Sequence, residues 1–163
     1  MNAIQVLENG IDTAKMISMG YLSDLTDEEM MHRPDPKCNH IKWQLGHLLQ
    51  SDNMMVNGCV PGTIPELPEG FAEKYTKETA GSDNADDFHA KDELLAMYET
   101  QTNAIKEALK KLSDEDLDRA APDSMKDYAP TFGAALGMIG DHWLMHAGQW
   151  AVIRRQKGRA PIF

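Results

Sequence analysis

The chain has 163 residues, of which 42% are hydrophobic and 26% are charged, a profile typical of one globular domain. Its 26 acidic and 16 basic residues give a formal net charge of −10, and such a surface repels phosphate backbones. No apolar run in the sequence approaches the length of a membrane span. We therefore expect one domain over residues 1–163, with no affinity for nucleic acids or membranes.

The N-terminus and the cysteines bear on the cellular compartment. The first residues show neither a basic stretch nor the continuous apolar run of a signal peptide, which favours a cytoplasmic protein. Cys38 and Cys59 lack CxxC spacing and need not pair, in keeping with a reducing environment. Either thiol could bind a metal, although a free cysteine is more often a small buried hydrophobe.

Apolar residues recur at helical spacing in four segments, and no segment shows the alternation of a strand. The four predicted helices cover residues 3–22, 41–57, 91–112 and 131–155. Gly58 and Pro61 end the second helix, and Gly158 and Pro161 end the fourth. The predicted fold class is all-α, a bundle of four long helices.

Two linkers repeat one pattern, a hydroxyl residue followed three positions later by an acid. Thr26 and Glu29 lie between the first two helices, and Ser113 and Asp116 lie between the last two. This spacing is typical of a capping box that opens a short helical turn. The repetition suggests two duplicated helical hairpins, although capping boxes are common enough to recur by chance. Residues 58–90 join the hairpins, and a loop of this length is typically a crossover or a functional lid.

The fourth predicted helix carries His142 and His146, four positions apart and therefore on one face. On a helical wheel this face also holds Ala135, Met138, Ile139, Gln149 and Ile153. We therefore expect both imidazoles to point into the bundle. Two buried neutral imidazoles can share a divalent cation, or each can bond to a carbonyl or hydroxyl of a facing helix. No glutamate lies between them, which excludes the HExxH motif of zinc proteases.

His47 in the second predicted helix is the third candidate ligand. It lies at the edge of that helix's apolar arc, so periodicity places it less firmly than the other two. The arc consists of Ile41, Leu45, Leu48 and Met55. Gly46 beside His47 would allow another helix to approach closely. Of the remaining histidines, His40 is expected to cap its helix or face solvent, while His32 and His89 lie in linkers.

Four further residues are candidates for supporting roles around the histidines. Asp52 and Asp141 could accept the outer N–H of a metal-bound imidazole, although a solvated surface acid is the simpler interpretation of each. Gln149, predicted to face inward, could orient a bound water or satisfy a buried carbonyl. Tyr98 in the third predicted helix could assist catalysis, although a core tyrosine is the simpler interpretation. The candidate catalytic residues are thus Gln149, Asp52 and Tyr98.

Two segments of the chain resemble the DinB and YfiT-like superfamily of small helical bundles. The first is HIKWQLGHLLQSDNMM, which contains the family's Trp-x-x-Gly-His stretch. The second is GDHWLMHAGQWAVIRRQKGRAPIF, which contains its His-x-x-x-His-x-Gly-Gln stretch and an Arg-x-x-Gly-x-x-Pro-x-Phe-like tail. The linker sequences LTDEEM and LSDEDL are also typical of this family.

This resemblance implies a four-helix bundle in an up-down-down-up arrangement, with residues 58–90 as the long crossover between the second and third helices. It implies a metal triad of His47, His142 and His146 that binds zinc or nickel, and it implies a homodimer. Some family members transfer low-molecular-weight thiols to small electrophiles, others are isomerases that use a thiol cofactor, and many have no known activity. No thiol-binding residue can be matched in this sequence, so the resemblance does not assign a substrate.

Three neutral imidazoles leave a zinc ion one position short of tetrahedral coordination, and that position can take water or a substrate. The main hypothesis is a metal-dependent transferase or hydrolase in which the metal activates a thiol or water toward a small-molecule substrate. The alternatives are a metal- or ligand-binding bundle without turnover, and a structural bundle whose histidines are core residues. A ferritin-like di-iron site is disfavoured, since neither histidine helix supplies Glu-x-x-His.

Overall fold

Four long helices and one short helix form the architecture, seen in a computed structural model that describes residues 1–162. The helices are α1 (Ala3–Leu22), α2 (Ile41–Cys59), α3 (Lys91–Leu109), α4 (Asp114–Leu117) and α5 (Phe132–Gln156). Within residues 1–162 the only extended pairing is one β-bridge between Ala120 and Thr131, so the all-α prediction is confirmed. Of the helices in this part of the chain, none combines the length and the hydrophobicity that a membrane span requires.

The helix ends differ from the predicted ones by at most three residues, for local reasons. Helix α2 continues two residues beyond the predicted end because the amide of Val60 still donates to the carbonyl of Val56, at 2.7 Å. Pro61 follows and stops it. Helix α3 ends three residues early because tighter turns take over, such as the bond of 3.0 Å from the Leu112 amide to the Leu109 carbonyl.

Both predicted capping boxes are confirmed. Thr26 and Glu29 exchange hydrogen bonds of 2.8 and 3.1 Å at the 3-10 turn Glu29–Met31. Ser113 and Asp116 exchange hydrogen bonds of 2.9 and 3.3 Å at the start of α4. The internal duplication that this repetition suggests stays a prediction, since two local turns do not test common ancestry.

One hydrophobic core joins the long helices, and the most extensive contact is that between α1 and α5. Gly140 permits this contact, because a β-carbon there would lie 3.1 Å from the backbone of Gly10 in α1. Helix α2 packs against both α5 and α3. The contact between α2 and α5 is the one that concerns the histidines.

Residues 60–90, which we call the crossover, connect α2 to α3 through three 3-10 turns: Ala72–Tyr75, Thr79–Gly81 and Ala85–Asp87. The crossover packs against α2, where a β-carbon on Gly46 would come within 2.1 Å of the Tyr75 ring. The close approach predicted at Gly46 is therefore made by an aromatic side chain and not by another helix. Arg33 anchors the segment by donating from Nη2 to the carbonyls of Ala80 and Ser82, both at 2.8 Å.

Candidate metal centre

Three imidazoles meet where α2 and α5 are in contact. His47 belongs to α2, while His142 and His146 lie on successive turns of α5 and face the same way because the helix repeats every 3.6 residues. One ring nitrogen from each histidine lies within 4.8 Å of those of the other two. The Nε2 atoms of His142 and His146 are 3.2 Å apart. The structure thus brings together the three histidines that were predicted as ligands.

Burial keeps these imidazoles neutral. The side chain of His146 is buried, and those of His47 and His142 are half-buried. Burial, with a smaller contribution from the neighbouring imidazoles, lowers the pKa of His142 and of His146 to about 4. Burial also lowers the pKa of His47 below its usual range. At neutral pH each ring therefore keeps one nitrogen lone pair that a cation can use.

The spacing of the ring nitrogens of His142 and His146 fits two ligands of one tetrahedral ion. Zinc binds imidazole nitrogens at about 2.0–2.1 Å, which in a tetrahedral site separates two such nitrogens by roughly 3.3 Å. The distance of 3.2 Å between His142 and His146 is close to this value. Within residues 1–162 none of the three rings bonds to a backbone carbonyl, as purely structural core histidines commonly do. The group could therefore hold a metal ion.

A comparison with protein families bears directly on these residues. The family model of the DinB superfamily matches residues 11–150, a range that includes His47, His142 and His146. The chain belongs to the DinB superfamily. The resemblance noted in the two histidine segments is therefore confirmed. No curated protein matches the chain.

In this member of the DinB superfamily, the Trp-x-x-Gly-His stretch fixes His47 between α2 and the crossover. The indole of Trp43 stacks on the His47 ring, with centroids 5.0 Å apart and planes inclined by 8°. Its Nε1 donates to the carbonyl of Thr76 at 3.0 Å and to the hydroxyl of Thr79 at 3.3 Å. The His47 ring is thereby held against an indole that is itself fixed by the crossover.

Gln44 links the histidines to the core and was not among the residues predicted from the sequence. Its side chain is buried, with Oε1 placed 3.0 Å from Nδ1 of His146 and 2.6 Å from Nε1 of Trp150. Its Nε2 donates to the carbonyl of Asn39 at 2.7 Å and to Oε1 of Gln149 at 3.0 Å. The available signal is its position next to the apolar arc of α2, since a buried amide needs partners on a facing helix.

The predicted inward orientation of Gln149 is wrong, because its side chain is exposed. The predicted face was centred on His142, whereas the buried face of α5 is centred near Trp143 and Trp150. At 100° per residue, the centre of the buried face lies roughly 80° from His142 around the helix axis. Gln149 therefore lies at the edge of the buried face. From there it accepts the hydrogen bond from Gln44.

Asp52 and Tyr98 lie together in the core, beside Trp143. Asp52 is only 2% exposed, so its interpretation as a solvated acid is wrong. Its Oδ2 accepts from Nε1 of Trp143 at 2.7 Å, and its Oδ1 has no hydrogen-bond partner in residues 1–162. The ring of Tyr98 lies 4.3 Å from that of Trp143, and all three residues line a cavity of about 10 Å³. Their hydrogen bonds do not reach the three histidines.

The remaining candidates occupy structural positions. Asp141 is exposed, as the simpler interpretation predicted. His40 caps α2, with its Nδ1 accepting from the amide of Trp43 at 3.1 Å, but it is fully buried and does not face solvent. Cys59 is buried and Cys38 is half-buried, and neither forms a disulfide.

A cavity of about 280 Å³ lies beside His47, between α2 and the crossover. Its lining residues are Trp43, His47, Gln50, Ser51, Met54, Tyr75, Thr76 and Lys77. Among the described residues no carboxylate lines this cavity, and His47 is the only one of the three histidines that does. The volume is near the lower end of the range for small-molecule sites.

Proposed function

We propose that His47, His142 and His146 hold one divalent cation, zinc or nickel, and that the centre is a metal-dependent transferase or hydrolase. The observation that carries the proposal is the convergence of three neutral ring nitrogens within 4.8 Å. Three imidazoles occupy three positions of a tetrahedral ion and leave one for a reactant. When bound, the cation would act as a Lewis acid and make a thiol or a water molecule a better nucleophile near neutral pH.

The residues around the centre would bind and orient the reactants. The cavity beside His47 would take the small-molecule substrate, an electrophile that accepts a low-molecular-weight thiol or an ester that accepts water. Its walls are largely apolar, and the indole of Trp43 and the ring of Tyr75 would pack against the body of the substrate while excluding water. His47 lines this cavity and also belongs to the histidine cluster, so a molecule bound there would contact the centre.

The three predicted catalytic residues are proposed to act by positioning. Gln149 would act through Gln44, to which it is hydrogen-bonded. Asp52 and Tyr98 both contact Trp143, the residue that follows His142, and would hold this turn of α5 in place.

A second candidate function is metal or ligand binding without turnover. It is favoured by the absence of a carboxylate among the residues that line the cavity in the described chain, since a carboxylate is a common general base. Under this alternative the same three histidines would hold the cation, and the cavity would retain a ligand unchanged.

The wider setting belongs to the same proposal: an up-down-down-up bundle, a cytoplasmic location and a homodimer. Contacts between helices support the topology. A β-carbon on Gly137 would lie 3.6 Å from Leu7, and Arg154 donates to the carbonyl of Tyr21 at 2.9 Å, so α1 and α5 run in the same direction. Two ion pairs support an antiparallel arrangement of α3 and α1, because Asp12 pairs with Lys106 at 2.8 Å whereas Lys15, later in α1, pairs with Glu99, earlier in α3, at 2.6 Å.

Metal analysis tests the proposal first. Protein purified without chelator should contain about one equivalent of zinc or nickel by mass spectrometry, and His47→Ala or His142→Ala should lose it. His32→Ala is the matched control, because that imidazole lies outside the cluster and bonds to Gln156. A chain that binds neither metal would contradict the whole proposal.

Turnover then separates the two candidate functions. Metal-loaded protein is screened with low-molecular-weight thiols and small electrophiles, and separately with simple esters. Activity that EDTA removes and that His47→Ala lacks would support the transferase or hydrolase. Stoichiometric metal with ligand binding but no turnover would favour the non-catalytic alternative.

A further inference from the structure

The Nδ1 atom of His146 lies 3.0 Å from one side chain of α2, that of Gln44. We infer that Gln44 is a positioning residue, which holds the proton of His146 on Nδ1 and so directs the lone pair of Nε2 toward the centre of the histidine cluster. The expected effect on metal binding rests on the proposed function, whereas the position of the proton can be tested without any metal.

The orientation of the Gln44 amide is fixed by its hydrogen-bond partners. Its Oε1 lies 2.6 Å from Nε1 of Trp150, and an indole nitrogen can only donate, so this atom of Gln44 must be the oxygen. Its Nε2 lies 2.7 Å from the backbone carbonyl of Asn39, which can only accept. Both ends of the amide are therefore assigned by partners that have no alternative role.

The tautomer of His146 follows from this orientation of Gln44. Its Nδ1 lies 3.0 Å from the same Oε1 of Gln44, and an amide oxygen cannot donate, so the histidine must carry its proton on Nδ1. The assignment concerns the neutral ring, whose Nδ1 faces an atom that can only accept. A neutral imidazole has one proton, so Nε2 keeps its lone pair, and Nε2 is the atom 3.2 Å from His142. Without a metal, His142 can donate its own proton to that lone pair.

Water has little access to the hydrogen bond between Gln44 and His146. Gln44 is 1% exposed, Trp150 is 0% exposed and His146 is 7% exposed, so solvent cannot replace the bond if it breaks. The opposite tautomer would place the lone pair of Nδ1 against that of Oε1 and leave a buried acceptor unpaired. Gln149 adds support from the outside by accepting a second bond from Nε2 of Gln44. The outer partner of a metal-bound histidine is in general worth about 10–100-fold in metal affinity.

The test begins with metal-free wild-type protein labelled with ¹⁵N-histidine. Two-bond ¹H–¹⁵N spectra at pH 7 should show a protonated Nδ1 and an unprotonated Nε2 for His146. Gln44→Leu removes the acceptor and should give a mixture of tautomers or the opposite one, while Gln44→Glu keeps an acceptor and should keep the proton on Nδ1. Zinc affinity, measured by competition with a chelator, should fall about 10–100-fold in Q44L and stay near the wild-type value in Q44E.

Gln101→Leu is the matched control, because Gln101 is also a buried glutamine but its amide atoms have no partner in residues 1–162. This variant should leave the His146 tautomer and the zinc affinity unchanged. A proton on Nε2 of His146 in the wild-type protein would overturn the inference even if Q44L failed to fold. An unchanged tautomer and zinc affinity in folded Q44L would overturn it as well. A wild-type chain with the expected tautomer but no affinity for zinc or nickel would contradict the proposed function alone.

Discussion

The stability that the buried carboxyl group of Asp52 contributes falls as the pH rises, whereas the contribution of the buried histidines increases with pH. Asp52 accepts one hydrogen bond, from Trp143, and its other oxygen has no partner in the described chain. Burial, which this single bond only partly offsets, raises the pKa of Asp52 to about 8. The folded state therefore holds a proton that the unfolded state, with a pKa of about 3.8, releases.

The magnitude follows from this difference in pKa. The stabilisation that protonated Asp52 contributes is fully present below about pH 4 and is lost as the pH rises toward 8, at about 1.4 kcal/mol per pH unit. The substitution Asp52→Asn has no proton to lose, and its amide oxygen can still accept from Trp143. The free energy of unfolding of D52N, relative to wild type, should therefore rise by roughly 3 kcal/mol between pH 5 and pH 7.

Urea denaturation of both proteins at pH 5, 6, 7 and 8, with EDTA present and followed by circular dichroism, measures this difference. The lowered pKa values of His40, His142 and His146 change the free energy of unfolding of both proteins equally, so this contribution cancels when the two are compared. Asp141→Asn removes an exposed acid and controls for the loss of one negative charge. A difference between D52N and wild type that stays constant from pH 5 to pH 8 would refute this reasoning.

Three further outcomes can be checked by calorimetry and denaturation. Zinc at 100 times its dissociation constant should raise the free energy of unfolding by about 2.7 kcal/mol, and calorimetry should show the Tm rising by roughly 5–10 °C until EDTA is added. Gly46→Ala should cost about 1–3 kcal/mol in urea denaturation because its β-carbon would overlap Tyr75, whereas Gly148→Ala, in open space, should stabilise by about 0.5–1 kcal/mol. His40→Ala should cost about 2–4 kcal/mol by the same measurement, since the Trp43 amide loses its cap and the fully buried imidazole leaves a cavity.

The helices could be predicted because their determinants are local. Apolar spacing and capping residues lie within or beside each segment, and the four long helices match the predicted ranges to within three residues. The pairing of His142 and His146 on one face follows from helical geometry alone. His47 lies at the edge of the apolar arc, so periodicity indicates it less firmly than the other two histidines, and the Trp-x-x-Gly-His motif supports its assignment.

Side-chain partners could not be predicted, because they come from distant segments. Gln44 contacts His146 and Trp150, which are 102 and 106 positions away. Asp52 lies within about 20° of Ile41 on a wheel of 100° per residue, so periodicity alone places it in the core. The general rarity of buried acids argues against that placement. No pattern within α2 indicates the Trp143 indole that donates to this carboxylate.

Two indoles of α5 donate hydrogen bonds to side chains of α2. Trp150 donates to Gln44 at 2.6 Å, and Trp143 donates to Asp52 at 2.7 Å. The later residue of α5 pairs with the earlier residue of α2, so the two helices run in opposite directions. All four side chains are buried, and a slip of one helix along the other would leave their polar atoms unpaired.

These two bonds also explain why the imidazoles meet. His47 lies between Gln44 and Asp52 along α2, and His146 lies between the two indoles along α5. The alignment of the helices that satisfies both indoles is therefore the same one that brings the ring nitrogens within 4.8 Å. Because hydrogen bonds outside the cluster maintain this alignment, a cation would have only to draw side chains together, and the helices would already be in place.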